Sequence, residues 1–414
     1  MQVNEAVVVI GGGIAGVTSA LELANSGLKV YLIEREAAIG GQAAYFCCKA
    51  TDVCTKCSFC LVPQRLSEVA THPRISVLTN SVVTGVNGEA GNFRVEVCQK
   101  PQYVSPQRCI ACGICTEVCP TMPKAIHFPS PEAIPYSYVI DESQCLHLKG
   151  EKCNFCGEIC PTNAIALERR PERQGLDVGT IIVATGFEGF DAREVGSLGY
   201  GRYPNVLTGL DLERIFACRG SLELPSNGKE ANKVAFVQCV GSRNENHGYC
   251  SQVCCKYAMR FARLIKYQNP DAEVTIFYID LQTAGKGFAQ FYEECRGSIQ
   301  FIRGVPVEIL EGSSGGLEVR FEDISAGKVE RETFDLVILS IGVVPKKDSW
   351  DLARILGINL GDYGFFDTKS LIDSNKTNVD GIFLAGTCQG PKDIPDSIAH
   401  GISAAEKAKE RLKR

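Results

Sequence analysis

Hydrophobic positions along the chain fall into short unbroken runs, each closed by a glycine turn and most followed by a stretch of helical spacing. Residues 6–10 (Ala-Val-Val-Val-Ile) are wholly apolar, the pattern of a strand buried on both faces. They lead into Gly11-Gly12-Gly13-Ile14-Ala15-Gly16, after which residues 17–27 carry helical spacing and end on a glycine stop. Lys29-Val-Tyr-Leu-Ile33 is the next predicted strand. Alternation in 75–98 (Ile-Ser-Val-Leu-Thr, then Phe93-Arg-Val-Glu-Val97) predicts the short strands of a β-meander. Buried strands recur at 179–183, 234–239, 274–280, 336–342 and 381–385, and a closing helix is predicted from the segment after Gln389 towards Arg414. Buried strands alternating with helices predict an α/β fold, here in two domains.

The first of these units carries its own chemistry. Strand, glycine turn, helix, strand and acid follow in the order that binds a dinucleotide. The glycines allow a tight turn and let backbone N–H groups approach a pyrophosphate at the helix N-terminus. Glu34 stands eighteen residues past Gly16 and can accept a hydrogen bond from a ribose 2′-hydroxyl, with Arg35 beside it. A lone glycine fingerprint is a weak signal, but the complete unit is a strong one. The following Gly40-Gly41-Gln42 favours FAD over NAD. Two later stretches return to the same cofactor. Ala184-Thr185-Gly186 closes one buried strand, and Gly386-Thr387 closes another. Lys392, Asp393, Ile394, Asp396 and Ser397 then open a helix whose positive N-terminal end can face the flavin pyrimidine ring, although Lys392 and Asp396 also read as ordinary cap and surface residues.

Cysteine changes the picture most: there are 21 in 414 residues, an odd number and mostly in close pairs, which suits metal clusters better than a disulfide framework. The run Cys109-Ile-Ala-Cys112-Gly-Ile-Cys115-Thr-Glu-Val-Cys119-Pro120 has the spacing that holds a cubane cluster in bacterial ferredoxins. In two-cluster ferredoxins the cysteine before proline ligates the other cluster, so a second set is expected, and Cys145, Cys153, Cys156 and Cys160-Pro161 supply it. The matched assignment is Cys109, Cys112, Cys115 and Cys160 on one [4Fe–4S] cluster and Cys145, Cys153, Cys156 and Cys119 on the other. Seven residues separate Cys145 from Cys153 where the first half has two, which a longer loop accommodates. The unit interrupts the flavin domain between the meander and the strand at 179–183, so it reads as an insertion.

Two further groups are less decided by spacing. Cys47, Cys48, Cys54, Cys57 and Cys60 lie within fourteen residues of one another just after the Gly40-Gly41 turn. Cys54, Cys57 and Cys60 have ligand spacing and Cys47 or Cys48 is the candidate fourth, while a loop lined with reduced thiols is the alternative. In the second domain the strand from Val234 runs into Cys239, followed by Cys250, Cys254 and Cys255. The turn that should cradle a second pyrophosphate lacks the glycine fingerprint and carries thiols, which disfavours NAD(P)H there. The four read either as a cluster or as a dithiol near a redox site.

A net charge of −5 provides no basic footprint for nucleic acid or anionic lipid, and 45% hydrophobic residues suffice for several cores. No apolar run is long enough to span a bilayer, and the N-terminus shows no signal peptide. The expectation is a cytoplasmic protein of a reducing, anaerobic setting. No catalytic acid–base constellation stands out, and five scattered histidines do not make one.

Together these stretches resemble the HdrA family of heterodisulfide reductases, whose members carry FAD and iron–sulfur clusters. The resemblance is carried by the opening glycine unit, the inserted ferredoxin, Val-Ala-Thr-Gly-Phe at 183–187 and Phe-Val-Gln-Cys-Val-Gly-Ser-Arg at 236–243. Tyr-Cys-Ser-Gln-Val-Cys-Cys at 249–255, Tyr-Ile-Asp at 278–280, Gly-Lys-Gly at 285–287 and Gln-Gly-Pro-Lys-Asp-Ile-Pro-Asp-Ser-Ile-Ala at 389–399 extend it over nearly the whole chain. It implies an α/β, two-domain thioredoxin-reductase-like flavoprotein, Rossmann-type and three-layered, with an inserted α+β ferredoxin domain. It also implies a cluster near the FAD at Cys239, Cys250, Cys254 and Cys255. Its functional implication is an electron-distributing flavin hub, bifurcating in some complexes. The expected partners are other subunits of a heterodisulfide-reductase-like or benzoyl-coenzyme A reductase-like complex and ferredoxin, with a homodimer left open.

Two departures accompany the resemblance. The N- and C-terminal cluster domains of full-length members are expected to be missing, and the cysteines at 47–60 exceed the family's usual pair, matched by Cys57 and Cys60. The division expected is a flavin domain at 1–105, ferredoxin at 106–168, flavin domain and linker at 169–228, a degenerate NAD-like domain at 229–350, and a closing flavin segment at 351–414. Two rival functions stay open at this point: a self-sufficient NAD(P)H:acceptor oxidoreductase, and an assembly scaffold with a structural flavin.

Overall fold

The computed structural model describes residues 4–129, 134–282, 285–312, 315–370 and 372–413; Met1–Val3 of the lead-in, and Arg414, towards which the closing helix is predicted to run, lie outside them. Two five-stranded parallel sheets organise the molecule. In the first, Ile382–Leu384, Thr180–Val183, Val7–Ile10, Val30–Ile33 and Ile75–Leu78 lie side by side in that order. Its central strands are buried along their length, as expected when helices or further strands cover both faces. One face is covered by helices Ile14–Asn25 and Ile394–Leu412, whose Ala20, Leu23, Ala404 and Ala408 pack under Val7 and Val9. The other is covered by an antiparallel sheet of Ser81–Glu89, Asn92–Gln99 and Glu172–Val178, with Val95, Val97 and Val178 under Val8 and Val183.

Ile75–Leu78 thus departs from the meander expectation. It extends the parallel sheet by pairing with Val30–Ile33, while the two strands after it form the antiparallel layer. All four of its residues are half-buried, as suits a strand at the edge of a sheet.

The second parallel sheet runs Val206–Thr208, Leu336–Ile341, Lys233–Val240, Glu273–Tyr278 and Gln300–Arg303. The segment 206–219 therefore travels with this sheet. Thr208 caps helix Gly209–Arg219 through a reciprocal pair with Asp211: its hydroxyl accepts the Asp211 N–H at 3.2 Å, and its own N–H donates to the Asp211 carboxylate at 3.0 Å. Helix Cys254–Gln268 packs Ala258, Phe261 and Ile265 into the core between the sheet and Phe216. Two short antiparallel strands, Glu188–Gly189 and Val343–Val344, carry the chain out to this half and back.

The insertion leaves and returns at one point. Val104 bridges Ile165, the Ser105 N–H donates to the Ala164 carbonyl at 2.8 Å, and the Ala166 N–H donates to the Tyr103 carbonyl at 2.8 Å. It also touches the flavin half at the glycine turn, where the Ile39 N–H donates to the Ile134 carbonyl at 2.8 Å.

Candidate functional site: a flavin cleft with cysteine sets on its walls

A cleft of about 580 Å³ opens where the two parallel sheets face each other. Gly11, Gly13, Ile14 and Ala15, then Glu34 and Arg35, then Gly40, Gly41 and Gln42 line one side. Ala184, Thr185, Gly186 and Thr387, at the ends of neighbouring strands of the same sheet, and Lys392, Asp393, Ile394 and Ser397 line it too. Gly12, Gly16, Gly386 and Asp396 belong to the same turns without lining the cleft themselves. The glycine turn has one open face: a Cβ on Gly16 would lie 1.9 Å from the Gly11 carbonyl, whereas one on Gly13 would meet nothing within 4 Å. Gly11 itself has φ +108°, and a Cβ there would strike the Ala184 carbonyl at 2.3 Å. Helix Ile14–Asn25 begins at this open face with no side-chain cap on its first N–H groups.

Glu34 is held rigidly. Its Oε2 accepts the Gly12 N–H at 2.7 Å and its Oε1 the Glu36 N–H at 2.9 Å, leaving lone pairs for a diol. Burial pushes its carboxyl up, opposed by those two donors and by Lys346. The Thr185 hydroxyl, beside Gly11, is buried and has no partner among the described residues. An open glycine face, an uncapped helix start and an orphaned hydroxyl fit a dinucleotide lying along the cleft.

The C-terminal helix Ile394–Leu412 enters the cleft by its first turn. The Asp393 carboxylate caps it by accepting the Asp396 N–H at 3.0 Å, and Asp393 also pairs with Lys256 of the second half at 3.4 Å. Lys392 donates to the Gln389 side chain at 2.6 Å and to the Gly390 carbonyl at 3.3 Å, and burial pulls its pKa down. Burial and the neighbouring Asp393 push the Asp396 carboxyl up. The helix end and the ammonium together favour negative charge in this part of the cleft.

The inserted domain gathers its cysteines around a small core. Cys119, Cys145, Cys153 and Cys156 line one void of about 20 Å³, the four assigned to a single cluster by the crossed pattern. Cys115 is pushed up to about 11 by burial and by the nearby Cys109 and Cys112. The two cysteines before proline differ from the rest. Burial acts on both, yet donors around Thr121 and Ala125 hold Cys119 below the usual thiol range, and the Ala164 and Thr162 N–H groups do the same for Cys160. The duplicated sequence thus yields a duplicated environment that favours thiolate.

In the second half Cys239, Cys250, Cys254 and Cys255 act electrostatically on one another. Cys239 is a non-glycine residue at φ +61°, at a register shift between strands Lys233–Val240 and Leu336–Ile341. Cys254 and Cys255 occupy the first turn of helix Cys254–Gln268, where burial pushes both thiols up and the helix dipole opposes it. The Arg243 guanidinium reaches Cys239, Cys250 and Cys255 and is pinned by Asp280 at 2.6 Å. Cys254 is buried and also lines the flavin cleft.

The loop 47–60 is divided. Cys57 lines the cleft, and Cys54 and Cys57 both lie within reach of Arg260, whose guanidinium holds the Thr55 carbonyl at 3.0 Å. Cys48, Cys54 and Cys60 are exposed. Cys47 sits elsewhere: it packs into the second half's core beside Glu213 and Lys49, and burial pushes it up to about 12. Among the described residues no three His, Cys, Asp or Glu side chains converge on the point that a single metal ion needs. A cubane is instead surrounded, with one thiolate at each iron.

Sequence reasoning missed Lys49, Glu213 and Tyr257, which line the cleft without any local motif, and Pro129, which reaches it from the insertion. It also missed His400. That ring accepts the Gly386 N–H at 2.9 Å and fixes the glycine turn under the cleft. Only the fold brings these groups there.

Comparison with known proteins agrees with this geometry. A family model described as FAD dependent oxidoreductase matches residues 6–48, and one described as 4Fe-4S binding domain matches residues 103–123. The chain is 40% identical, over 99% of its length, to the HdrA-type polypeptide of the H(2):CoB-CoM heterodisulfide,ferredoxin reductase of Methanothermobacter thermautotrophicus, of which it covers 64%. It is 40% identical over 98% of its length to the corresponding iron-sulfur polypeptide of the CoB–CoM heterodisulfide reductase of Methanocaldococcus jannaschii, again covering 64%. The chain therefore spans somewhat less than two thirds of these relatives. In fold it matches thioredoxin reductase of Lactococcus lactis, with TM-score 0.55, 18% identity and 99% of both chains covered. The T. acidophilum thioredoxin reductase matches with TM-score 0.53 and 15% identity, over 99% of this chain and 100% of that one. These likenesses establish a thioredoxin-reductase-like flavoprotein fold with a ferredoxin segment. No helix among the described residues is long and apolar enough to cross a membrane.

Proposed function

We propose that this HdrA-like chain is an oxidoreductase component that carries electrons between a flavin and iron–sulfur clusters, with substrate chemistry on partner subunits. One observation carries the reading: Cys254 of the second half and Cys57 of the loop line the same cleft as Gly13, Glu34, Thr185 and Lys392. FAD supplies a centre that accepts electron pairs and releases them singly. The chain's residues supply the rest. The Gly11–Gly16 turn and Glu34 hold the dinucleotide, Lys392 and the capped helix end favour negative charge at one end, and the cysteine sets bring one-electron carriers to the walls.

Three [4Fe–4S] clusters are assigned to Cys109, Cys112, Cys115 and Cys160; to Cys145, Cys153, Cys156 and Cys119; and to Cys239, Cys250, Cys254 and Cys255. Cys54, Cys57 and Cys60, with Cys48, are the place for a fourth; Cys47, seated in the second core, drops out of the set. The five-part division at 105, 168, 228 and 350 describes how the chain distributes these roles, except that 206–219 goes with the second half. Carriers reaching the flavin from both halves support bifurcation as the finer form of the activity. Ferredoxin and the remaining subunits of a heterodisulfide-reductase-like or benzoyl-coenzyme A reductase-like complex are the partners that this chemistry fits. Anaerobic titration of the holoprotein tests the reading: dithionite reduces flavin and cluster bands together, and NADH leaves the flavin oxidised. Rapid bleaching of the flavin by NADH would overturn it.

A further inference from the structure

Lys49 and Glu213 come from opposite halves of the molecule and meet inside the cleft wall. Lys49 follows the short turn Gly41–Tyr45 of the flavin half, and Glu213 lies on helix Gly209–Arg219 of the second half. Their charged groups stand 2.5 Å apart with the side chains only 6% and 3% exposed. The contact is closed into a ring. The Cys47 N–H donates to the second Glu213 oxygen at 2.9 Å, and the Lys49 ammonium donates to the Cys47 carbonyl at 3.1 Å. The same ammonium lies 4.7 Å from the centre of the Phe261 ring, on the helix that begins with Cys254 and Cys255. Arg260 on that helix holds the Thr55 carbonyl, so loop 47–60 is tied to the second half at two points.

A buried ion pair is a poor stabiliser, because desolvating both charges cancels most of their attraction and apolar side chains of like volume hold as well. What such a pair adds is direction: it is satisfied in one relative placement of its two elements. We propose that Lys49 and Glu213 are positioning residues that register loop 47–60 against helix Cys254–Gln268 across the flavin cleft, fixing how far Cys57 and Cys254 stand from the flavin. The inference rests on the electron-transfer reading above and adds the device that sets its distances. Tyr257, whose buried hydroxyl has no partner among the described residues, lies near both Glu213 and Cys254 on the same wall.

The test is Lys49→Met/Glu213→Leu in the anaerobically loaded holoprotein. It is mixed with substoichiometric dithionite in a stopped-flow instrument, and flavin and cluster bands are followed separately. Flavin content, iron content and unfolding temperature are expected to stay at wild-type values. Redistribution of electrons between flavin and clusters slows by about tenfold or more, as a small misplacement of reacting groups does elsewhere. If that variant fails to load, Lys49→Gln, which keeps a donor for the Glu213 carboxylate, is read in the same way. Lys49→Arg, which keeps the pair, restores the rate. Wild-type redistribution in the double variant or in Lys49→Gln overturns the positioning role alone. Wild-type protein in which flavin and clusters never exchange electrons overturns the electron-transfer reading and, with it, this one.

Discussion

His400 provides a titration that can be followed through the flavin half. It lies on the closing helix, 7% exposed, with Nδ1 accepting the Gly386 N–H at 2.9 Å and Nε2 facing the Ser374 carbonyl at 3.1 Å. These partners require the neutral ring with its proton on Nε2, since a second proton on Nδ1 would face the Gly386 donor. Burial, helped by Lys392, pulls the pKa from the usual 6.5 to about 4. The folded value lies below the unfolded one, so the unfolded chain binds the extra proton first on acidification. The contribution is therefore intact above pH 6.5, falls as the pH drops towards 4, and changes no further below that. A shift of this size corresponds to about 3 kcal/mol across the window, at about 1.4 kcal/mol per unit. Chemical unfolding of wild type and His400→Gln, measured anaerobically at several values between pH 7 and pH 4.5, isolates it. Gln keeps an acceptor for Gly386 and does not titrate, and carboxylates that titrate in the same window are common to both proteins. The difference in stability between them should shrink by roughly 2–3 kcal/mol on acidification and then level off. A difference that stays constant across the range would refute the reasoning.

Other consequences are equally direct. Gly13→Ala places its methyl in open space, so folding should be unchanged by circular dichroism while flavin retention weakens about tenfold, since the methyl occupies the approach to the helix N-terminus. Cys160→Ala should remove about four irons by weakening the cluster of Cys109, Cys112 and Cys115, leaving the set of Cys119, Cys145, Cys153 and Cys156 intact; loss of the latter set instead would contradict the crossed assignment. Arg243→Gln removes a cation that favours extra negative charge at the second-half cysteines, and the potential of that cluster should move to more negative values by about 60 mV, tenfold for one electron, in an EPR-monitored titration.

Much of the flavin half was legible because it is local: Val7–Ile10, the glycine turn and Glu34 follow one another, and their buried spacing leaves few alternatives. Ile75–Leu78 was not, because its alternation suits an edge strand of either sheet, and only pairing with Val30–Ile33 decides. Helix Leu61–Thr71 escaped notice behind the cysteines, although its Pro63 lies in the first turn, where proline is tolerated. Ligand spacing in loop 47–60 could not choose between Cys47 and Cys48, since it says nothing of which neighbour is buried; the fold seats Cys47 in the second core and leaves Cys48 exposed. Lys49 and Glu213 lie 164 residues apart, and nothing in either neighbourhood points to the other.

The central claim is that carriers approach one flavin from both halves of the molecule, and the ratio of iron to FAD in anaerobically purified protein tests it most directly. The account predicts at least about twelve irons per FAD, two clusters in the insertion and one at Cys239, Cys250, Cys254 and Cys255, rising to about sixteen when loop 47–60 is loaded. About eight would mean that only the insertion carries clusters and that the cleft wall at Cys254 holds thiols, and the account would be wrong at its centre.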